Sequence, residues 1–148
     1  MILNQQRAVR LARRPLEHFL RRLQRELGFQ ESGVTIALVS DAEIARMNET
    51  FRKKKGPTDV LSFPAARRRP RSLPRATSKQ KAGEFLGDIA IAPATARRYA
   101  RKHGRTLPAE LRVLILHGVL HLLGYDHETD RGEMDRVERK LRKRFGLA

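Results

Sequence analysis

The chain has 148 residues with 32 Lys and Arg against 16 Asp and Glu, a formal net charge of +16, and it contains no cysteine. The length fits one domain, residues 1–148, and the absence of cysteine excludes disulfides. The sequence has neither a signal-like segment nor an apolar segment of roughly 18 residues, so we expect a cytoplasmic protein with no membrane span. The charge favours nucleic acid over an anionic membrane, but 5% aromatic residues and no Trp disfavour base-stacking platforms.

The N-terminal region predicts a short strand followed by a helix. Residues 1–6 carry a weak strand pattern. Pro15 suits the first turn of a helix, and the apolar residues after it recur at helical spacing up to Gly28. The opposite face of this helix is basic, and it is either a solvated face or an RNA-contact surface. Its cations are Arg21, Arg22 and Arg25.

The next region predicts a strand, a short helix and a second strand. Residues 33–40 are rich in β-branched residues, and Asp41 is the predicted N-cap of the helix that follows. Four consecutive cations at 52–55 lead through a Gly-Pro turn into a strand that ends at Pro64. From the residues alone, Arg52 belongs to a solvated basic turn or stabilises charge on a phosphate oxygen.

A basic segment and an apolar strand come next. Residues 67–82 contain seven cations, two prolines and no acid, which predicts a mobile surface loop that either contacts RNA or is a disordered insertion. Residues 85–92 predict another strand, and Pro93 opens a helix. Asp88 within this strand needs a partner, because a lone buried carboxylate is costly. Either a histidine metal ligand or turn chemistry with Gly87 can supply one.

Three of the five histidines lie close together in the pattern H-x3-H-x5-H. His117 and His121 share one face of the helix predicted from residue 107 onward, and Gly124 lets the chain double back and bring His127 towards them. Three imidazoles with an open fourth position predict a catalytic site for one Zn2+, although nickel or another divalent metal can also occupy such a site. The alternative is that the histidines occupy separate core or surface positions.

The histidine spacing is also close to that of the metzincin proteases, H-E-x-x-H-x-x-G-x-x-H. Position 118, however, is Gly where those enzymes carry the glutamate general base, so a protease is disfavoured. Met134 belongs to an apolar face of the final helix, where core packing is its predicted role. Asp130 caps or opens that helix.

Three blocks of the sequence resemble the YbeY family of bacterial rRNA maturation factors, which are metal-dependent endoribonucleases. The resemblance extends over nearly the whole chain, and the third block is highly specific. The blocks are FR at 51–52 with PTDVLSFP at 57–64, LGDI at 86–89, and HGVLHLLGYDH at 117–127.

The resemblance implies an α+β fold, a small mixed β-sheet packed against several helices, with zinc on His117, His121 and His127. It also implies that Arg52 lies in the active-site cleft as a catalytic residue. The implied function is single-strand-specific cleavage of RNA in 16S rRNA 3′-end maturation and ribosome quality control. The implied partners are 16S rRNA and its precursor, the ribosome or small subunit, and assembly factors. The arginine-rich segment after Ala66 departs from the family's pattern, which has a shorter and often acidic connection at this point.

A different function fits the same features. In this alternative, the protein is a non-catalytic ribosome-assembly factor in which the metal holds the fold and the basic surface binds rRNA. Chelation distinguishes the two, because removing a structural metal unfolds a protein whereas removing a catalytic metal abolishes cleavage.

Overall fold

A computed structural model of the chain describes residues 1–30, 33–65, 85–126 and 129–147. The predicted basic loop at 67–82 and the predicted ligand His127 lie outside these ranges. The described residues form the following strands and helices: β1 Ile2–Asn4, α1 Arg13–Leu27, β2 Val34–Leu38, α2 Asp41–Arg52, β3 Val60–Pro64, β4 Gly87–Ile91, α3 Pro93–Lys102, α4 Leu107–Leu122 and α5 Glu133–Arg144.

The strands form one mixed sheet in the order β1-β2-β4-β3. β1, β2 and β4 run parallel, whereas β3 pairs antiparallel with β4 at the edge of the sheet. Pro64 ends β3 opposite Gly87, at an edge position where a missing backbone N–H is tolerated. The prediction of an α+β fold with a small mixed sheet and several helices is therefore confirmed.

The two faces of the sheet support two separate apolar clusters, because successive side chains of a strand point to opposite faces. Ile89 and Ile91 of β4 belong to the larger cluster, which includes buried residues of α1, α4 and α5. Ala90 belongs to the smaller cluster together with Ile44 and Met47 of α2. Helices α1 and α4 thus cover one face of the sheet, and α2 covers the other.

Helix α4 carries the two described histidines of the predicted site and is mostly buried. Ten of its 16 residues are buried, which agrees with the apolar character that the sequence shows almost all round this helix. The helix lies close to the sheet at Gly118. A Cβ built there would lie 2.8 Å from Cδ1 of Ile89, closer than atoms can pack, so glycine allows the helix to sit directly on β4.

Helix α5 packs against α1 and α4. The rings of Phe19 and Phe145 lie 5.5 Å apart, and the guanidinium of Arg22 lies 5.0 Å from the Phe145 ring centroid. Arg144 forms an ion pair with Glu26 of α1 at 2.8 Å. Met134 is 1% exposed, so the predicted packing role of this residue is confirmed.

The start of α2 corrects one prediction. The N-cap is Ser40, whose hydroxyl accepts a hydrogen bond from the backbone N–H of Glu43 at 3.1 Å, and Asp41 is the first helical residue. The carboxylate of Asp41 turns instead towards α3, where Thr95 Oγ1 donates to it at 2.7 Å and Arg98 Nη2 at 2.9 Å. Both Ser and Asp cap helices well, so the local sequence could not decide between them.

The remaining helix boundaries agree with the predictions. Pro93 and Pro108 lie in the first turns of α3 and α4, and Gly124 has a φ of 101° just after α4. Asp130 contributes to the start of α5, because its carboxylate accepts from the backbone N–H groups of Gly132 and Met134. No helix in the described ranges is long and apolar enough to cross a membrane.

Candidate metal centre

His117 and His121 come together on one side of α4 near its C-terminus. They are one turn apart, and their Nε2 atoms lie 3.1 Å from each other. The ring planes are nearly perpendicular, at 80°, with centroids 4.6 Å apart. The prediction that these two side chains share a helix face is therefore confirmed, and both present the same ring nitrogen to a common point.

This separation suits a shared metal ion. Two imidazole nitrogens at zinc-binding distance in a tetrahedral site are about 3.3 Å apart, close to what is found here. A neutral histidine pair can also share one proton at such a distance. The donor set consists of imidazole nitrogens, which suit zinc, nickel and copper.

The third predicted ligand is the histidine that follows the turn at Gly124. His127 lies outside the described residues, three positions after Gly124, whose positive φ turns the chain away from the helix axis. Among the side chains that the structure describes, no group of three or more His, Asp or Glu forms a metal site. The three-histidine zinc site therefore stays a prediction, with two of its three ligands brought together.

The other ring nitrogen of His117 contacts a residue that the sequence did not suggest. Oε1 of Glu138 in α5 lies 2.8 Å from His117 Nδ1, and Oε2 of Glu138 lies 3.5 Å from Nη2 of Arg142. The Glu138 side chain is only 12% exposed. Because an ionised carboxylate can only accept, this contact requires a proton on Nδ1 and leaves the Nε2 lone pair for a metal.

The environment of Glu138 favours its ionised form. Burial raises the pKa of Glu138, but the hydrogen bond from His117 and the positive charge of Arg142 are among the interactions that outweigh burial, so its pKa lies below the ordinary value. A carboxylate of this kind keeps its negative charge at neutral pH and can hold the His117 ring in one orientation.

The sequence indicates that Glu138 is unusual, but it does not identify the partner of this residue. Glu138 is four residues after Met134 and three before Leu141, so it interrupts the apolar face of α5 with a carboxylate. Such a residue needs a partner when it is buried. That partner, His117, is 21 positions away in the chain, and only the packing of α5 on α4 brings the two together.

Position 118, where a metzincin protease has its general base, faces the sheet. Gly118 is buried against Ile89, with no room for a Cβ, and its carbonyl accepts a hydrogen bond from Ser62 Oγ of β3 at 3.4 Å. A glutamate at this position would point into the packed interface between α4 and β4. The packing of position 118 is therefore stronger evidence against a protease than the identity of the residue at that position.

Arg52 is the exposed last residue of α2. The residue before it, Phe51, packs edge-on against Phe63 of β3 with ring centroids 5.4 Å apart. Since α2 and α4 cover opposite faces of the sheet, Arg52 must reach past the edge strand β3 to approach the histidines. The catalytic role of Arg52 stays a prediction.

Asp88 is fully buried in the middle of the sheet. Successive side chains of a strand point to opposite faces of the sheet. Asp88 therefore lies on the face opposite to Ile89, which contacts α4, and on the same face as Ala90, which belongs to the cluster beneath α2. Asp88 therefore faces away from the helix that carries the histidines. The carboxylate at Nδ1 of His117 comes from Glu138, so the structure disfavours His117 as the partner of Asp88, and turn chemistry with Gly87 stays a prediction.

Comparison with known proteins decides the family. The family model described as Endoribonuclease YbeY matches residues 1–146. The chain belongs to the YbeY endoribonuclease family. This confirms the resemblance that the three sequence blocks indicated, and it adds the regions between those blocks.

Two bacterial members of the YbeY family illustrate the similarity. The Endoribonuclease YbeY of Solibacter usitatus is 44% identical over 142 residues, covering 95% of this chain and 85% of the relative. The Endoribonuclease YbeY of Koribacter versatilis is 40% identical over 147 residues, covering 99% of this chain and 86% of the relative. The solution structure of a Thermotoga maritima protein is 28% identical and superposes with a TM-score of 0.60, covering 99% of this chain and 90% of that protein.

Proposed function

We propose that this chain is a zinc-dependent endoribonuclease that cleaves single-stranded RNA in the cytoplasm. Its substrate would be precursor 16S rRNA near the 3′ end, and it would act in ribosome quality control with the small subunit and assembly factors. The observation that carries the proposal is the convergence of the Nε2 atoms of His117 and His121, 3.1 Å apart, with Nδ1 of His117 held by Glu138. Membership of the YbeY family supports RNA as the substrate.

The residues present fit a bound metal ion. His117 and His121 would bind it through Nε2, His127 would be the third ligand, and a fourth position would remain open. When bound there, zinc lowers the pKa of water towards about 7 and polarises a phosphate oxygen, so that no glutamate general base is required. The buried face of α4 keeps the two described histidines in a fixed relation, because Gly118 between them is packed on β4.

Arg52 would act on the substrate. Phosphodiester cleavage adds negative charge to the phosphate oxygens in the transition state, and a guanidinium can donate two parallel hydrogen bonds to them. Its position at the exposed end of α2, next to the edge strand β3, leaves the side chain free to extend around that edge.

The test is cleavage of a precursor 16S rRNA fragment by the zinc-loaded protein. His121→Ala removes one ligand, and we expect it to abolish cutting while RNA binding persists. His103→Ala is the matched control, because His103 is an exposed histidine that stacks on Tyr99 of α3, away from the metal centre. We expect this control to cut like the wild type.

Chelation then separates an enzyme from the assembly-factor alternative. For a catalytic metal, we expect chelation to stop cutting while circular dichroism keeps its helical signal, and added zinc to restore cutting. Loss of the helical signal on chelation would indicate a structural metal. If wild type and His121→Ala both bind RNA and neither cuts it, even within the small subunit, the enzyme proposal is wrong.

A further inference from the structure

The contact between α4 and α5 bears on which ring nitrogen of His117 carries a proton. A neutral imidazole binds a metal through the nitrogen that lacks a proton, so the proton must be held on the other nitrogen. Glu138 Oε1 lies 2.8 Å from His117 Nδ1, and both side chains are at least half buried. This contact selects which of the two ring nitrogens faces His121.

The second oxygen of Glu138 also has a partner. Arg142 lies one helical turn later in α5, and its Nη2 is 3.5 Å from Glu138 Oε2. Its side chain is 26% exposed. One oxygen of the carboxylate thus contacts His117 and the other contacts Arg142, which limits the orientations that the carboxylate can take.

We propose that Glu138, backed by Arg142, is a positioning residue that fixes His117 in the Nδ1–H tautomer and thereby makes Nε2 its metal-binding atom. This inference rests on the proposed function, because it assumes a metal at Nε2. It assigns to α5 a direct part in metal binding, although α5 supplies no ligand. Partners of this kind are typically worth about 10- to 100-fold in metal affinity.

The first test measures zinc affinity without RNA, by competition with a coloured chelator. We expect Glu138→Ala to lower the affinity about 10- to 100-fold. Glu138→Gln should lower it less, because its amide oxygen can still accept from Nδ1–H. Asp135→Asn is the matched control, since Asp135 pairs with Arg139 on the exposed side of the same helix. This control removes the same charge and should keep wild-type affinity.

The second test reads the tautomer directly in the metal-free protein. Nitrogen-15 chemical shifts of the His117 ring should report a proton on Nδ1 in the wild type and in Asp135→Asn. In Glu138→Ala, the proton should move towards Nε2. A merely structural role for Glu138 would change the melting temperature but not this signal. If Glu138→Ala does not fold, Glu138→Gln and Arg142→Gln carry both measurements.

The outcomes separate this inference from the function on which it rests. If the wild type binds zinc and the Glu138 variants bind it equally well, the positioning role is wrong and the proposed function stands. If the wild type binds no zinc, both are wrong. Weaker zinc binding in the Glu138 variants, with an unchanged control and a shifted tautomer, would establish the role.

Discussion

At the metal centre, the two ring nitrogens of His117 have different partners, and this difference organises the site. Nε2 faces His121 at 3.1 Å, and Nδ1 faces the carboxylate of Glu138 at 2.8 Å. His117 thus joins α4 to α5 through a polar contact. Gly118, the next residue, fixes the distance between α4 and the sheet, so the neighbouring positions 117 and 118 set the location and the orientation of the centre.

Substitution of Arg52 tests its proposed role in cleavage. We expect Arg52→Ala to lower the single-turnover cleavage rate by about 10²- to 10³-fold, the usual effect of losing one donor to a developing oxyanion, with a much smaller effect on RNA affinity. Lys54→Ala, which removes an exposed cation two residues later, is the matched control and should leave the rate nearly unchanged. Equal rates for the two variants would contradict the catalytic role of Arg52.

Substitution of Gly118 tests the close packing of α4 on β4. Alanine suits a helix better than glycine by about 0.5–1 kcal/mol, but overpacking typically costs about 1–3 kcal/mol. Since the new Cβ would lie 2.8 Å from Ile89 Cδ1, we expect Gly118→Ala to reduce the free energy of unfolding by about 1–2 kcal/mol, measured by urea denaturation.

Ile89→Val provides the control for this effect, because it removes the Cδ1 atom. In a double-mutant cycle, the combined variant should be less destabilised than the sum of the two single variants. Strict additivity would mean that the contact between Gly118 and Ile89 does not limit the approach of the helix.

At the scale of elements, the start of α2 is tied to α3 by a small polar cluster. Asp41 accepts from Thr95 at 2.7 Å and from Arg98 at 2.9 Å, across the chain from one helix to the other. Burial raises the pKa of Asp41, but these hydrogen bonds and the charge of Arg98 outweigh it, so the pKa lies below the ordinary value. The local task of capping α2 falls to Ser40, which leaves Asp41 available for this contact.

The depressed pKa of Asp41 predicts a pH-dependent contribution to stability. A group whose pKa is lower in the folded state stabilises the fold above its unfolded pKa, about 3.9 for Asp, and loses that contribution as pH falls through the folded value. We expect Asp41→Asn to lower the free energy of unfolding at pH 7 by less than about 1 kcal/mol, because the pair is partly exposed. Below pH 3, the difference from the wild type should shrink.

Glu43→Gln is the matched control for this measurement, since it also removes a carboxylate from the first turn of α2 but pairs with Arg46 in the same helix. The loss of stability at pH 7 should be larger for Asp41→Asn than for Glu43→Gln. If the two variants behave alike at every pH, the tie between α2 and α3 contributes nothing beyond the helix dipole.

At the scale of the whole molecule, Lys and Arg are twice as numerous as Asp and Glu, so ion pairs within the fold can neutralise only part of the positive charge. Several arginines are paired, such as Arg98, Arg105 and Arg144, with carboxylates of other residues. Others lie exposed on the basic face of α1, where Arg21 and Arg25 line an open recess of about 580 Å3 whose described lining contains no carboxylate. With a net charge of +16, such a surface suits phosphate groups.

This charge distribution predicts a strong salt dependence of RNA binding. For single-stranded RNA, each phosphate contact contributes about 0.7 to the slope of log K against log salt concentration. We expect the double variant Arg21→Ala with Arg25→Ala to reduce that slope by about 1.4, measured by fluorescence anisotropy at several salt concentrations.

Arg97→Ala with Arg101→Ala removes the same charge from exposed positions of α3 and is the matched control. We expect this variant to keep the wild-type slope. If both double variants reduce the slope equally, the arginines of α1 act only through net charge and belong to a solvated face.

The sequence by itself determined the features that depend on neighbouring residues. The spacing of His117 and His121, the turn at Gly124 and the prolines that open α3 and α4 are local, so helix geometry and backbone sterics fix them without reference to the rest of the chain. The family follows from the sequence as well.

Only the tertiary structure decided the features that join distant segments. The strand order, the partner of His117 in α5, the turn of Asp41 towards Thr95 and the contact of Gly118 with Ile89 each join residues at least 21 positions apart. Local propensity carries no information about such contacts. They are set by how the apolar faces of α1, α4 and α5 pack together on one side of the sheet, and this packing places Glu138 beside His117.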